Sequence, residues 1–148
     1  MKKKYLYAII IIAIFAIIGV SYGLHMYNKK VVVADVKPSF TIDAAALYAE
    51  FSANEAAATK KYVGNTGDNI IVEVTGTIGA ISNEKGKTYI LVGEEMNGVY
   101  CEMDDSQKKD VSLLKEGNPI KIKGQCDGVL MDVNMKRCFL VNETEASN

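Results

Sequence analysis

The feature that most constrains this chain is an uncharged apolar run near its N-terminus, from Tyr5 to Leu24, directly after three lysines. Roughly 20 apolar residues at a rise of ~1.5 Å each match the ~30 Å hydrocarbon core of a bilayer. A cleaved signal peptide usually has a shorter apolar stretch and ends at a small-x-small site. Residues 20–27 offer no convincing site of that kind. The sequence therefore favours a single transmembrane helix over a removed leader.

Basic residues around the run predict its orientation. Lys2–Lys4 and the α-amino group precede it, whereas only Lys29 and Lys30 follow it. Because cytoplasmic flanks carry the excess of basic residues, the N-terminus is expected in the cytoplasm. The chain is thus predicted to be a single-pass membrane protein with a periplasmic or extracellular domain. The expected parts are an N-terminal membrane anchor (1–30), a tether (31–39), a folded domain (40–141) and a polar tail (142–148).

After the tether, the hydrophobic period predicts one helix and then strands. The helix is expected from Ile42 to Tyr62, with Thr41 as its N-cap and Gly64 as its left-handed stop. β-Branched residues then alternate along the chain, with Gly76 and Gly79 where bulges or bends are expected. The five predicted strands are Ile70–Ser82, Lys87–Val92, Val99–Met103, Pro119–Cys126 and Leu130–Val141.

The order of these elements predicts the fold class. Five strands with a helical connection between the third and the fourth, over residues 104–117, is the order of an OB-fold, a small Greek-key barrel. The expected fold is therefore mainly β with one N-terminal α-helix. It is a five-stranded OB-fold barrel preceded by a single transmembrane helix.

Residues spread along the whole domain resemble a known family. They are Tyr48, Phe51, Asn54-Glu55, Ala58, Lys61-Tyr62, Val72 to Gly76, Val99-Tyr100-Cys101, Leu114 to Gly117, Ile120 to Gly124, Cys126-Asp127-Gly128 and Val133 to Cys138. On these positions the chain is similar to the tRNA-anticodon-like OB-fold family of small exported bacterial proteins, many described as lipoproteins. The resemblance implies a fold and a compartment but no activity. A lipoprotein needs a cysteine just after the apolar run, and the first cysteine here is Cys101, so anchoring is expected through the peptide span.

Three cysteines leave two interpretations open. They contain no Cys-x-x-Cys pair, and the one histidine, His25, lies outside the domain, so no metal site is predicted. Either Cys101, Cys126 and Cys138 are all reduced and buried, or one disulfide forms in an oxidising compartment. The preferred candidate disulfide is Cys126 with Cys138, which would join the last two strands.

No catalytic residue, no cofactor and no enzymatic activity are predicted. Without a histidine after His25, Ser-His-Asp and Cys-His arrangements are excluded. Neither standard glycine-rich phosphate loop is present. The adjacent acids Glu94-Glu95 and Asp104-Asp105 would point to opposite faces of an extended chain, so neither pair converges on one bond. Solvated loop charge is the favoured interpretation of both pairs.

Two kinds of binding function remain. The favoured one is an interaction module of the bacterial cell envelope, with a protein or a small ligand as its partner. The alternative is an OB domain that binds an oligosaccharide or a single-stranded nucleic acid through its second and third strands and nearby loops. The candidate ligand-binding residues are Lys85, Lys87, Tyr89, Tyr100 and Asp127. The tyrosines would stack on a base or sugar ring, or they would simply pack across the strands.

Charge argues against nucleic acid as the partner. Beyond residue 30 the chain has 12 basic and 18 acidic residues, a net charge of −6. Proteins that bind single strands combine a positive groove with stacking aromatics. Lys121 and Lys123 flank Ile122 and are expected on the solvated face of a strand. Nucleic acid is therefore the less favoured ligand.

Overall fold

The computed structural model describes residues 2–27, 33–65 and 67–142. It separates into two compact units, Met1–Val31 and Val32–Asn148. The described part of the first unit is a single helix, α1 (Lys2–Tyr27). The side chains described in this helix are those of Tyr7 and residues 10–23, and all of them are exposed.

The prediction that Tyr5–Leu24 spans a membrane is wrong. Over the described residues, none of the helices supplies a stretch both long and apolar enough to cross a membrane. The single-pass topology predicted from this span, with the N-terminus inside and the domain outside, is corrected with it.

The second unit begins with short helical pieces in place of the one predicted helix. They are the 3-10 turn Val33–Asp35, α2 (Ala44–Ala53), α3 (Glu55–Ala58) and the π-helical turn Thr59–Val63. The side chain of Asp43 caps α2 by accepting a hydrogen bond from the Ala45 amide at 2.9 Å. Asn54 breaks the helix and caps α3 in the same way. The predicted cap Thr41 lies instead in a strand, whereas Gly64 ends the segment with a φ of 72°, as predicted.

Six strands among the described residues form one mixed sheet. Their bounds are β1 (Phe40–Asp43), β2 (Val72–Glu84), β3 (Lys87–Val92), β4 (Val99–Met103), β5 (Pro119–Val129) and β6 (Val133–Leu140). The order is β1-β2-β3-β4-β6-β5, and β2 also pairs with β5, so five of the strands close into a ring. β1–β2 and β4–β6 are parallel pairs, and the others are antiparallel. A short helical segment, Asp105–Gln107 and α4 (Lys108–Val111), joins β4 to β5.

This sheet corrects the predicted five-stranded barrel. The sequence pattern missed β1, because a four-residue strand with two exposed side chains, Thr41 and Asp43, carries little alternating signal. β1 pairs in parallel with β2 and adds a sixth strand beside the ring. The sheet is mixed because β4 and β6, within the ring, are parallel as well.

The long strand β2 takes part in two antiparallel pairings because it bends. Its first half, Val72–Thr77, pairs with β5. Its second half pairs with β3, and the register shifts between Ile78 and Ala80. A Cβ atom at Gly79 would lie 2.1 Å from the carbonyl oxygen of Gly93, so only glycine permits this approach. The bulge predicted at Gly79 is confirmed.

The core of the second unit includes Val33, which was predicted to lie in the tether. Val33 is 1% exposed, and Lys123, at 6%, donates a hydrogen bond from its Nζ to the carbonyl oxygen of Ala34 at 2.5 Å. Lys121 is exposed as expected, whereas Lys123 is buried beneath the start of the domain. The predicted polar tail lies outside the described residues after Asn142.

Candidate ligand-binding groove

Tyr89 of β3 and Tyr100 of β4 stack against each other on the outer face of the ring. Their ring centroids are 5.0 Å apart and their planes differ by 15°. Ile90 and Cys101, the residues that directly follow the two tyrosines, are fully buried. Because successive side chains of a strand point to opposite faces, the tyrosines point outward. Both rings are half-buried, and the Tyr100 hydroxyl lies 3.1 Å from Oγ of Ser82 within hydrogen-bonding distance.

A groove of about 600 Å³ lies over this pair, and we call it the tyrosine groove. One wall is the β5–β6 hairpin, with Asp127 and Lys136 facing the groove. The lining also includes Glu55 from α3 and Glu84 from the end of β2. Its volume falls within the ~300–1,000 Å³ of small-molecule sites in proteins.

The tyrosine groove is negatively charged. Four carboxylates line it, those of Glu55, Glu84, Glu102 and Asp127, against one amine. That amine, from Lys136, forms an ion pair with Asp127. Glu102 is paired at 3.0 Å with a lysine outside the lining, Lys87. The carboxylates of Glu55 and Glu84 leave the groove with a surplus of acceptor oxygens.

Electrostatic effects at the groove follow from these contacts. The hydrogen bond to Glu102 raises the pKa of Lys87. Burial is the main reason that the pKa of Tyr89 is raised, and the nearby Glu102 carboxylate adds to it. Both side chains therefore keep their protons more firmly than in water. The Tyr89 hydroxyl is a hydrogen-bond donor at neutral pH.

The structure places the five predicted ligand residues in different settings. Tyr89, Tyr100 and Asp127 come together in the tyrosine groove. Lys87 is tied to Glu102 beside it. Lys85 is exposed in the β2–β3 turn, with a φ of 49°, and is not among the lining residues.

Sequence reasoning named Asp127 but missed the other three acids of the described lining, Glu55, Glu84 and Glu102. Glu102 follows Tyr100 by two residues on β4, so strand alternation alone places both on one face and was a usable signal. Glu55 and Glu84 reach the groove from a helix and from another strand, and nothing in their local sequence indicates it.

The three cysteines lie in the core as free, buried thiols. Cys101 and Cys126 stand opposite the same β6 residue, Met135, from its two sides. Burial raises the pKa of Cys126 to about 11 and raises that of Cys138 well above its ordinary value. The disulfide between Cys126 and Cys138 stays a prediction. Within the described ranges, no group of three or more His, Cys, Asp or Glu side chains is arranged to hold a metal ion.

Comparison with known proteins shows what the fold is similar to. A candidate nucleic acid-binding lipoprotein from Klebsiella pneumoniae subsp. pneumoniae MGH 78578 is 23% identical, over 70% of this chain and 93% of its own, with a TM-score of 0.54. The S. pombe Stn1-ten1 complex is 18% identical over 50% of this chain and 60% of its own, with a TM-score of 0.39. OBody AM1L10, bound to hen egg-white lysozyme, is 16% identical over 49% and 79%, with a TM-score of 0.39.

No curated protein sequence matches the chain. The sequence profile of the tRNA_anti-like family, in contrast, matches residues 1–140. That range includes all six strands and both tyrosines of the groove. The chain therefore belongs to the tRNA_anti-like family and carries its OB-fold binding domain.

Proposed function

We propose that this domain binds an oligosaccharide, neutral or amino-substituted, in the tyrosine groove. The observation that carries the proposal is the outward-facing stack of Tyr89 and Tyr100 beneath a carboxylate-lined groove. OB-folds bind oligosaccharides and oligonucleotides with these strands and the adjacent loops. A half-exposed aromatic face offers a flat apolar surface for the C–H face of a sugar ring, with polar groups around it to fix orientation.

The carboxylates decide between the two ligand classes of the fold. An ionised carboxylate is an acceptor only, so Glu55 and Glu84 match the hydroxyl and ammonium donors of a sugar. The same groups repel phosphates, whose neutralisation by lysine and arginine supplies most of the affinity for a nucleic acid strand. Lys136, the only amine among the described lining residues, is held by Asp127. The nucleic acid binding that is attributed to the Klebsiella protein is therefore not the function proposed for this chain.

An envelope role is part of the proposal. The description of the Klebsiella protein as a lipoprotein supports it. The proposed function is non-enzymatic binding, and the membership of the chain in a family of OB-fold binding domains supports it.

The experiment is a calorimetric titration of the full-length chain with three ligand sets of similar length: chitin oligosaccharides, partly deacetylated chitin oligosaccharides and single-stranded DNA. Binding of either sugar set, with affinity lost in a Tyr89→Ala/Tyr100→Ala variant, is the expected result. Glu84→Gln is expected to weaken the amino-substituted set more than the neutral one. Glu94→Gln, an exposed carboxylate outside the groove lining, is the matched control. Salt-sensitive binding of DNA with no binding of sugars would overturn the proposal.

A further inference from the structure

A second groove, of about 350 Å³, is also lined by Tyr100. We call it the methionine groove, because its two most exposed apolar side chains are Met96, in the β3–β4 loop, and Met131, in the β5–β6 turn. Met96 is 60% exposed and Met131 is 66% exposed. Leu130, next to Met131, is 90% exposed. Large apolar side chains grouped in this way on a surface mark interaction sites.

The two loops that carry the methionines are bound to each other. Oδ1 of Asp132 accepts a hydrogen bond from the Gly98 amide at 3.1 Å, and the Val133 amide donates to the Gly98 carbonyl oxygen at 3.1 Å. Met96 adopts a φ of 66°. A residue other than glycine holds such a backbone conformation only when the surrounding structure imposes it. The exposed methionines are thus presented from a braced pair of loops. Such a surface loses little conformational freedom when a partner binds.

The charges of the methionine groove have one sign. Its lining includes the carboxylates of Glu84, Glu95 and Asp132, and over the part of the chain that the structure describes no lysine or arginine lines it. Apolar side chains edged by carboxylates are complementary to a segment in which apolar and basic residues alternate along one face. Methionine is unbranched and polarisable, so it adapts to partners of different shape.

We infer that the methionine groove docks a short basic and apolar segment of a protein partner. The apolar residues of that segment lie on Met96 and Met131, and its lysines or arginines approach Glu95 and Glu84. The site is distinct from the sugar site proposed above, since Met96, Met131 and Glu95 do not line the tyrosine groove. Tyr100 and Glu84 are the shared residues.

Fluorescence anisotropy of the full-length chain with three labelled 18-residue peptides tests the inference. The probes are an amphipathic peptide of lysine and leucine, the same peptide with glutamate for lysine, and the same peptide with serine for leucine. The lysine–leucine peptide is expected to bind at least about tenfold more tightly than either of the others, because only it supplies both charge and apolar area. Its affinity is expected to fall as salt is added.

Variants locate the site. Met96→Ser/Met131→Ser is expected to weaken binding by about tenfold through lost apolar contact, and Glu95→Gln by about threefold through one exposed charge pair. The matched control is Asp110→Asn/Leu113→Ser, which removes an exposed acid and an exposed apolar residue that do not line the groove. Circular dichroism confirms that each variant is folded.

Equal binding of the glutamate–leucine peptide would overturn the inference, because it would show nonspecific apolar adhesion. Unchanged affinity in the methionine variant, or an equal loss in the control, would overturn it as well. Sugar binding measured on the methionine variant separates the two proposals, because that variant leaves the tyrosine groove intact.

Discussion

The amine of Lys123 donates a hydrogen bond to the carbonyl oxygen of Ala34, 89 positions earlier in the chain, at a distance of 2.5 Å. This contact ties the first turn of the domain to β5. Its ammonium group sits at a position that is 6% exposed.

Replacing this lysine is expected to destabilise the domain. Lys123→Ala removes the charged donor to the Ala34 carbonyl oxygen and the packing of the lysine's aliphatic stem, so the free energy of unfolding should fall by about 2 kcal/mol. Lys121→Ala, at the exposed position two residues earlier, should change it by less than about 0.5 kcal/mol. Urea denaturation of both variants measures the difference. Equal effects would show that the contact with Ala34 contributes nothing.

Gly79 is expected to tolerate no side chain. In Gly79→Ala the new Cβ would meet the Gly93 carbonyl oxygen at 2.1 Å, and the Gly93 amide is itself held by Thr77 at 2.8 Å. The backbone must shift at the bend of β2, so the free energy of unfolding should fall by about 2–4 kcal/mol. Thr77→Ala, an exposed change on the same strand, is the comparison. A Gly79→Ala protein as stable as this control would contradict the bend as described.

Alkaline pH is expected to destabilise the core through Cys126. Its pKa is raised by burial from 9.0 to about 11. The unfolded chain therefore loses this proton first. The contribution of the protonated Cys126 thiol to the free energy of unfolding is complete below pH ~9. It disappears as the pH rises through ~11, a loss on the order of 2–3 kcal/mol. Unfolding free energies of the wild type and of Cys126→Ala between pH 8 and 11 should differ in slope, and parallel curves would contradict this.

The carboxylate of Glu50 is expected to titrate below its ordinary range. The hydrogen bond from Lys61 at 2.9 Å is the main cause of its lowered pKa, and the bond from the Tyr62 hydroxyl at 2.9 Å is the second. The ionised Glu50 carboxylate therefore stabilises the fold above the ordinary pKa of 4.5. This stabilisation is lost as the pH falls through the lowered pKa of Glu50. NMR titration should show the pKa of Glu50 rising more in Lys61→Met than in Tyr62→Phe.

The pattern of residues within each segment predicted the strands β3 and β4. It did not predict features that depend on residues far away in the sequence. β3 and β4 have the bounds that the sequence predicted. β3 ends in an unbroken apolar run, residues 89–92, apolar residues alternate along β4, and glycines bound the loop between them. The break at Asn54 was missed because the helical period continues across it to Tyr62. Lys123 was expected in solvent because its cover, Val33 and Ala34, lies far away in sequence.

The candidate groove was predicted in part for the same reason. Tyr89 and Tyr100 follow from the strand period and from the usual binding face of the fold. The acids that give the groove its charge come from α3, β2, β4 and β5, so only the closed ring assembles them. The expectation that nucleic acid is a poor partner came from the net charge and from the expected solvent exposure of Lys121 and Lys123, and it stays a prediction.

The closed ring also sets the order in which the domain can be completed during synthesis. β6 lies between β4 and β5 in the ring, although it is the last of the described strands to be made. Until residues 133–140 have emerged from the ribosome, both of those neighbours keep an unpaired edge. Long-range pairings of this kind form slowly and leave edges open to other chains. A nascent chain stalled before β6 would therefore need a chaperone. Once the eight residues of β6 are made, this strand pairs with both β4 and β5 and closes the ring.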